Sequence, residues 1–317
     1  MSTDADIIVV ERNYFQETLV AIQYWKMLGK TVIGIFDDAY HLLHPSNPAY
    51  RFWNYGDVVG VTKDGERKQI KINPIPIKQF KWGVKLLKGI QIPSKILAED
   101  WSLYTDTYYV PNYIDIDNYL NVEPMFPHPD DEIWIGWHGS LTHSHSFIES
   151  GAIDALRKIG KKYPNVKFYL GGDKKNFENL EAKNKIYQGY VDEDKFPSML
   201  KSFDIGLAPL SGEYDKRRSR IKVLEYMALQ IPWIATDYPT YAEFKGYGVM
   251  IENGYRNWVS ALTDMVENIS EYKEKAKGKA YEYALTQSYD INVSKVTLPL
   301  YQKLIDGEYP NILRGEG

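Results

Sequence analysis

The sequence contains no cysteine, and this absence is the first restriction on what the 317-residue chain can do. Without thiols it has no disulfides, thiolate metal ligands or cysteine nucleophile, and it fits a reducing compartment. It also has no run of about 18 apolar residues, and residues 1–13 lack the basic segment and apolar run of a secretion signal. We therefore expect a cytoplasmic protein without a transmembrane segment.

Two phosphate-binding motifs are missing as well. The sequence has neither GxGxxG nor GxxxxGK[ST], which disfavours a dinucleotide oxidoreductase and a P-loop NTPase. The formal net charge of -4 argues against binding of a polyanion by the whole chain, although local basic patches remain open.

The length suits two domains of roughly 150 residues each. Apolar runs alternate with helical patterns from residue 6, the alternation restarts at residue 133, and a proline-rich, acidic stretch at 121–131 reads as the linker between them. This alternation is typical of α/β folds with parallel sheets. We predict three parts: an N-terminal domain over 1–125, a C-terminal domain over 126–285, and a helix with a loose tail over 286–317 that returns toward the first domain.

The N-terminal half offers candidate chemistry after its second predicted strand, 31–38. The strand ends in Asp37 and Asp38, and His41 and His44 follow it, at the carboxyl end where open α/β sheets place ligands. The alternative is that the acidic residues cap a helix or form a turn. Both interpretations stay open.

A basic amphipathic segment spans residues 78–88. Four lysines alternate there with apolar side chains, which leaves a peripheral contact with an anionic membrane open. A helix with a solvated lysine face is the simpler interpretation. The lysines are Lys78, Lys81, Lys85 and Lys88.

The most informative stretch, 217–244, begins with basic residues and continues as an apolar helix over 219–230 and a strand over 232–236. Cations at a helix start can neutralise a leaving diphosphate. Helical spacing puts Arg218 and Lys222 on one face. Glu225 stands in an apolar segment, where a carboxylate is costly unless it is paired or accepts hydrogen bonds. A Lys222–Glu225 surface pair is the alternative.

Glycine-bearing turns follow three predicted strands of the C-terminal half. In a doubly wound sheet they share one edge, and glycine lets the backbone approach a phosphate closely. The residues concerned are Gly139, Ser140, Gly171, Gly172 and Gly189. Nearby, His138, His143 and His145 lack the further ligands that a metal site requires, so we assign no metal.

Three segments in order, IGWHGSLTHSHSF, KIYQGYVDEDKFPSMLKSFDIGLAPL and SRIKVLEYMALQIPWIATDYPTYAEF, resemble the donor domain of GT-B glycosyltransferases, in particular the retaining family 4. PSKILAEDW and YYVPNYIDIDNY are similar to parts of the family's N-terminal domain. The resemblance implies two Rossmann-like, doubly wound domains facing a cleft, with the donor on the C-terminal one and a short N-terminal one.

The resemblance also implies site roles. Glu225 would bind the ribose hydroxyls of a nucleotide sugar, and Lys222 the diphosphate, with Arg218 and Ser219 beside it. Gly139 and Ser140 would offer backbone to the phosphates. Gly189 and Tyr190 would lie beside the base.

This sequence departs from the family at Arg217, where many relatives carry a glutamate near the donor sugar. Either Glu213 or Asp215 reaches in from a shifted loop, or Arg217 acts on the diphosphate. On the acceptor side, Asp38, His41 or His138 would orient the acceptor.

The function implied is transfer of a sugar from a nucleoside diphosphate sugar to an unidentified hydroxyl acceptor, which includes glycans and lipid-linked acceptors. We expect retention and no metal or other cofactor. Two alternatives remain: a sugar-nucleotide-binding subunit without activity, and a sugar-nucleotide epimerase.

Overall fold

A computed structural model describes residues 4–61 and 64–308. Its strands are β1 (Ile7–Glu11), β2 (Thr31–Ile35), β3 (Asp57–Val61), β4 (Arg67–Lys71), β5 (Gly89–Ile92), β6 (Asp106–Tyr109), β7 (Ile133–Gly139), β8 (Val166–Gly172), β9 (Lys185–Gln188), β10 (Ile205–Ala208), β11 (Trp233–Thr236) and β12 (Val249–Ile251).

Its α-helices are α1 (Glu17–Met27), α2 (Tyr50–Tyr55), α3 (Pro76–Leu86), α4 (Lys95–Trp101), α5 (Ser144–Glu149), α6 (Ala152–Lys162), α7 (Lys174–Asn179), α8 (Phe196–Lys201), α9 (Gly212–Asp215), α10 (Ile221–Ala228), α11 (Tyr255–Glu267), α12 (Ile269–Lys275), α13 (Tyr281–Leu285), α14 (Tyr289–Asn292) and α15 (Leu298–Ile305).

The chain forms two compact units. The first contains the described residues up to 111, together with 217–219 and 293–308, and the second contains 112–216 and 220–292. The first division between the units falls between residues 111 and 112, whereas the sequence predicts a domain boundary between residues 125 and 126. That boundary stays a prediction. Residues 309–317, predicted to be loose, lie outside the described residues.

The first unit is built on a parallel sheet in the order β1-β2-β5-β6. Its core is aromatic: Phe80 packs edge-on against Phe36 and Trp101, with ring centroids 5.0 and 5.4 Å away. The helix α15 also packs in this unit, where Leu300 and Leu304 are buried. Separately, β3 and β4 form an antiparallel ribbon.

The second unit is a six-stranded parallel sheet in the order β12-β11-β10-β7-β8-β9. From β7 the chain adds β8 and β9 on one side, and it then returns to place β10 on the other side. The strand order thus reverses between β7 and β10. Open α/β sheets bind ligands at the carboxyl ends of the strands beside such a reversal.

Both faces of this sheet are buried, as parallel sheets require. Along β7, Trp134 and Ile135 point into different apolar clusters, and Trp137 returns to the side of Ile135. This alternation follows the two-residue period of a strand. Gly136 leaves room for the ring of Phe203, which would lie 2.0 Å from an added Cβ.

A glycine and a proline set two element boundaries. Gly151 lies between α5 and α6 and adopts a left-handed φ of 87°, which separates the two helices. The strand β4 ends at Lys71, and Pro76 begins α3. Proline is favoured at the first helical position because it lacks the N–H that would have no partner there.

Candidate active site

The candidate site lies at the carboxyl edge of the second unit's sheet. Gly139 and Gly172 end neighbouring strands and are paired in register. Gly172 has a φ of 98°, and a Cβ on it would lie 2.5 Å from the Gly139 carbonyl oxygen. Only glycine meets both conditions without strain. The two strand ends therefore bring bare backbone to the place where a ligand would bind.

The remaining glycines on this edge differ in what they require. A Cβ on Gly171 would lie 3.1 Å from the sulfur of Met199, whereas the nearest atom to a Cβ on Gly189 is 3.7 Å away. Tyr190 follows Gly189 and is 72% exposed. Ser140 follows β7 and its hydroxyl lies 2.7 Å from that of Thr142. The structure thus places all the predicted glycine turns at one edge, and it finds tight packing at Gly171 and Gly172 but not at Gly189.

Lys222 and His138 meet at this edge. The Lys222 ammonium donates a hydrogen bond to the His138 carbonyl oxygen at 2.5 Å, and it lies 3.1 and 3.3 Å from the ring nitrogens Nε2 and Nδ1. Burial, reinforced by the charge of Lys222, lowers the pKa of His138 well below its ordinary value. The imidazole is therefore neutral at pH 7, and the positive charge of the pair belongs to Lys222.

Glu225 lies one helical turn after Lys222 on α10. Both residues are buried, at 8% and 7% exposure, so the alternative of a surface ion pair is wrong. Burial raises the pKa of Glu225 to about 7, although Lys222 and a hydrogen bond from Tyr119 both lower it. Within the described residues, Oε2 has no hydrogen-bond partner and lies 3.8 Å from Nε2 of His138. Such an oxygen is a ready acceptor for a ligand hydroxyl.

Tyr119 is the contact that sequence reasoning missed. Its hydroxyl donates to Oε1 of Glu225 at 3.4 Å. Burial and the Glu225 charge raise the pKa of Tyr119, which keeps this donor protonated at neutral pH. No local pattern in the sequence marks Tyr119 as a site residue.

The basic cluster at the start of the 217–244 stretch is not one site. Arg220 is buried and its guanidinium donates to Glu243, Tyr283 and Gln287. Its bonds tie the start of α10 to the 3-10 helix Pro239–Phe244, to α13 and to the turn after α13. Arg218 and Ser219 are half-buried and belong to the first unit. Their predicted donor contacts therefore stay predictions.

Arg217 is held by Asp100 within the first unit. Its Nε and Nη2 donate to the two carboxylate oxygens of Asp100, the latter at 3.1 Å, and His41 Nε2 lies 3.0 Å from Oδ2. Burial lowers the pKa of His41, although Asp100 raises it. The Nδ1 atom of His41 is buried without a hydrogen-bond partner among the described residues. The three side chains form one polar group, the Arg217–Asp100–His41 group.

The other acidic candidates have different roles. Glu213 is exposed and pairs with Lys216 at 2.6 Å. Asp215 is buried and accepts hydrogen bonds from the Ser146 hydroxyl and, at 2.8 Å, from the Ser211 N–H. It fastens the loop after β10. That use of its carboxylate argues against the expectation that Asp215 reaches toward a donor sugar.

Asp38 lies after β2 of the first unit, as expected. Its carbonyl oxygen accepts from the Tyr40 N–H at 3.0 Å, and this turn leads into the 3-10 helix Tyr40–Leu42, which carries His41. Burial, and then the charge of Asp38, raises the pKa of the neighbouring Asp37.

Within residues 4–61 and 64–308, no group of three or more histidine, aspartate or glutamate side chains is placed to hold a metal ion. No helix in the same ranges has the length and apolar character needed to cross a membrane.

Residues 134–270 match a family model described as glycosyl transferases group 1. No curated protein sequence matches the chain.

Among solved structures, the chain is similar to a sucrose-phosphate synthase from Thermosynechococcus elongatus, with a TM-score of 0.63 and 12% identity over 96% of this chain and 74% of that one. It is also similar to HepE of Anabaena in complex with UDP-glucose, with a TM-score of 0.62 and 15% identity over 95% and 79%. It is also similar to a UDP-N-acetylglucosamine 2-epimerase from Listeria monocytogenes, with a TM-score of 0.53 and 11% identity over 96% of this chain and 76% of that one.

The fold is that of GT-B proteins, which confirms the predicted fold class. Residues 134–270 match the glycosyl transferases group 1 model, which supports the glycosyltransferase that the resemblance implied. The epimerase neighbour shows that the fold by itself does not decide the reaction.

Proposed function

We propose that the protein transfers a sugar from a nucleoside diphosphate sugar to a hydroxyl acceptor, with retention of configuration and without a metal ion. The observation that carries the proposal is Oε2 of Glu225, which is buried without a hydrogen-bond partner among the described residues and lies beside His138. A buried acceptor in that state is costly unless a ligand donates to it. The UDP-glucose bound to HepE supports this class of donor.

In this proposal Glu225 accepts hydrogen bonds from the ribose hydroxyls of the donor. Lys222 lies one turn earlier on α10 and neutralises the diphosphate, on which negative charge grows as the glycosidic bond breaks. A cation fixed in advance stabilises that charge better than one that must move. Because His138 is neutral, the positive charge of Lys222 is not shared with the ring.

The backbone at Gly139 and Ser140 approaches the same phosphates, with Gly171 and Gly172 shaping the edge. Gly189 and Tyr190 are assigned to the base, and the exposed Tyr190 ring is available for stacking. Arg218 and Ser219 complete the proposed donor contacts. Glu213 is not needed in this scheme, because its carboxylate pairs with Lys216 at the surface.

On the acceptor side we assign His41, with Asp38 beside it, to orient the attacking hydroxyl. The unpartnered Nδ1 of His41 can accept a hydroxyl proton while Nε2 donates to Asp100. Arg217 then acts by fixing Asp100 rather than by contacting the diphosphate. The proposal includes a cytoplasmic location, as the absence of cysteine suggests.

The test is a screen of the purified protein with several nucleotide sugars and mixed acceptors, read by mass spectrometry. We expect transfer or slow donor hydrolysis, and calorimetry should show nucleoside diphosphate binding that Glu225→Gln weakens about tenfold. Glu271→Gln, which removes an exposed carboxylate paired with Lys275, is the matched control. An isomerised sugar nucleotide formed without acceptor would indicate an epimerase instead. Binding without turnover would indicate a non-catalytic subunit.

A further inference from the structure

Two helices of the first unit, α1 and α3, pack side by side along a seam. At one end the Gln16 N–H donates to Gln79 at 2.8 Å, and at the other the Lys26 ammonium donates to the Leu86 carbonyl oxygen at 2.6 Å. Between them, a Cβ on Gly83 would lie 3.0 Å from a methyl group of Leu19. Seam contacts in this order show that the helices run in the same direction.

The helix α3 has one face in the core and another in solvent. Ile77, Phe80 and Val84 are buried. Lys78, Trp82 and Lys85 are exposed, at the i, i+4 and i+7 spacing that lines one side of a helix. Trp82 is 49% exposed although it is among the largest apolar side chains. The apolar residues predicted to accompany the lysines are thus mostly used in the core, and Trp82 is the one left outside.

The helix α1 presents an apolar stripe to solvent. Val20, Tyr24 and Met27 are exposed at the same i, i+4 and i+7 spacing, with Val20 at 66% and Met27 at 85%. Ile22 is the one side chain of this helix that is fully buried. A soluble helix normally carries polar residues on its outer side.

The two exposed stripes border the same seam. Successive residues of an α-helix are rotated by about 100°, so Val20 and Met27 lie about a quarter turn around α1 from the seam residues Leu19 and Lys26. Trp82 lies about a quarter turn around α3 from the seam residues of that helix. All of them are on the side away from the core. They form one surface, the α1–α3 face, made of Val20, Tyr24, Met27 and Trp82 with the lysines Lys26, Lys30, Lys78, Lys81, Lys85 and Lys88.

This face carries a net positive charge. Residues 16–30 and 76–88 contain six lysines and one acidic residue, Glu17, although the whole chain has a formal net charge of -4. Lysines around exposed tryptophan, tyrosine and methionine favour an anionic, partly apolar surface. A second copy of the chain is disfavoured, because a twofold contact would bring the same lysines face to face.

We infer that the α1–α3 face docks the protein on an anionic lipid surface. Trp82 and Met27 enter the headgroup region and the lysines contact the lipid phosphates. The inference does not depend on the proposed sugar transfer. It extends the lipid contact considered for residues 78–88 to α1, which supplies three of the four exposed apolar residues of the face.

The experiment is co-sedimentation of the full chain with vesicles of phosphatidylcholine, with or without phosphatidylglycerol, at low and high salt. We expect binding to the anionic vesicles alone, and weaker binding at high salt. Lys78→Glu/Lys85→Glu should lower the partition coefficient at least about tenfold, because each lysine near an anionic surface contributes to binding. Met27→Glu and Trp82→Ala should each lower it by about threefold or more.

Two controls make matched changes elsewhere. Lys158→Glu/Lys161→Glu reverses two exposed lysines of α6, and Leu103→Glu changes an apolar residue of the first unit that is 91% exposed. Neither should change binding by more than about twofold. Thermal unfolding by circular dichroism verifies that each variant is folded. Absence of binding at low salt, equal binding to neutral vesicles, or equal loss in the controls would overturn the inference, as would a dimer that Met27→Glu dissociates.

Discussion

The hydroxyl of Tyr119 donates a hydrogen bond to Glu225 across 106 positions of sequence. One oxygen of the central carboxylate is therefore engaged before any ligand arrives, and the other is open within the described residues. A tyrosine that stabilises the ionised carboxylate works against the burial that raises its pKa. The ionisation of Glu225, and therefore its ability to accept hydrogen bonds from ribose hydroxyls, then depends on Tyr119.

Replacing Tyr119 by phenylalanine tests this dependence. Tyr119→Phe removes the donor, so the pKa of Glu225 rises and less of the carboxylate is ionised at neutral pH. We expect nucleoside diphosphate binding to weaken about threefold to tenfold at pH 7, and the loss to shrink at about pH 8.5, where more of the Glu225 carboxylate is ionised in both proteins. Calorimetry at several pH values measures it.

The control is Tyr163→Phe, which removes a tyrosine hydrogen bond to the exposed Glu267. It should leave binding unchanged at every pH. Tighter binding by Tyr119→Phe would show that Tyr119 competes with the ribose for Glu225, and the supporting role would then be wrong.

The raised pKa of Glu225 also predicts how its removal changes stability with pH. The folded-state pKa of about 7 exceeds the ordinary value of 4.5, so folded protein binds more protons than unfolded protein between these values. The stability that this group contributes is present below about pH 4.5 and is lost as pH rises through 7.

Glu225→Gln should therefore gain stability relative to the native protein as pH rises from about 5 to 8, by on the order of 1–3 kcal/mol. Chemical denaturation of both proteins at each pH measures the difference, and the contribution of the lowered pKa of His138 cancels to first order. Glu271→Gln should show no such trend. A constant difference across the range would mean that Glu225 is not destabilised by burial.

Much of the second unit could be predicted from the sequence, because the spacing of apolar residues indicates its helices and strands. The apolar helix around Glu225 predicted a buried carboxylate, and the turns after strands predicted one edge that holds Gly139 and Gly172. These inferences need only the spacing of side chains along one helix or strand.

Long-range partners could not be predicted in the same way. Arg217, Arg220 and Lys222 are near neighbours in sequence, but their side chains bind Asp100, Glu243 and the His138 carbonyl. Arg217 and Arg220 precede α10 and Lys222 lies in its first turn, so a basic run in sequence divides into separate contacts. Nothing in the local sequence identifies which hydrogen-bond acceptor each basic side chain will contact.

The Arg217–Asp100–His41 group predicts a strong energetic coupling. The guanidinium and the carboxylate form two hydrogen bonds and both are largely buried, at 14% and 20% exposure of their side chains. Removing one partner leaves the other charge poorly solvated. In a double-mutant cycle with Asp100→Asn and Arg217→Gln, we expect a coupling of about 1–3 kcal/mol in the free energy of unfolding.

The exposed pair Glu271 and Lys275 provides the comparison, and its cycle should give no more than about 0.5 kcal/mol. Asp100→Asn should also lower the pKa of His41 in an NMR titration, because Asp100 raises it in the native protein. An unchanged His41 titration would show that Asp100 does not hold the imidazole.

Two glycines that the sequence could not distinguish should respond differently to alanine. Gly172→Ala places a side chain on a residue with a φ of 98° and a Cβ 2.5 Å from the Gly139 carbonyl oxygen, so either the backbone or the strand pairing must shift. We expect a loss of about 1–3 kcal/mol in the free energy of unfolding, together with weaker nucleoside diphosphate binding.

Gly189→Ala is the matched control, because the nearest atom to its Cβ would be 3.7 Å away. It should cost less than about 0.5 kcal/mol. Equal losses for the two variants would contradict the view that Gly172 is held by its close approach to Gly139. Packing within the protein does not require a glycine at position 189. If Gly189→Ala alone weakens nucleotide binding and leaves the free energy of unfolding unchanged, then the base lies against Gly189 and a side chain there would obstruct it.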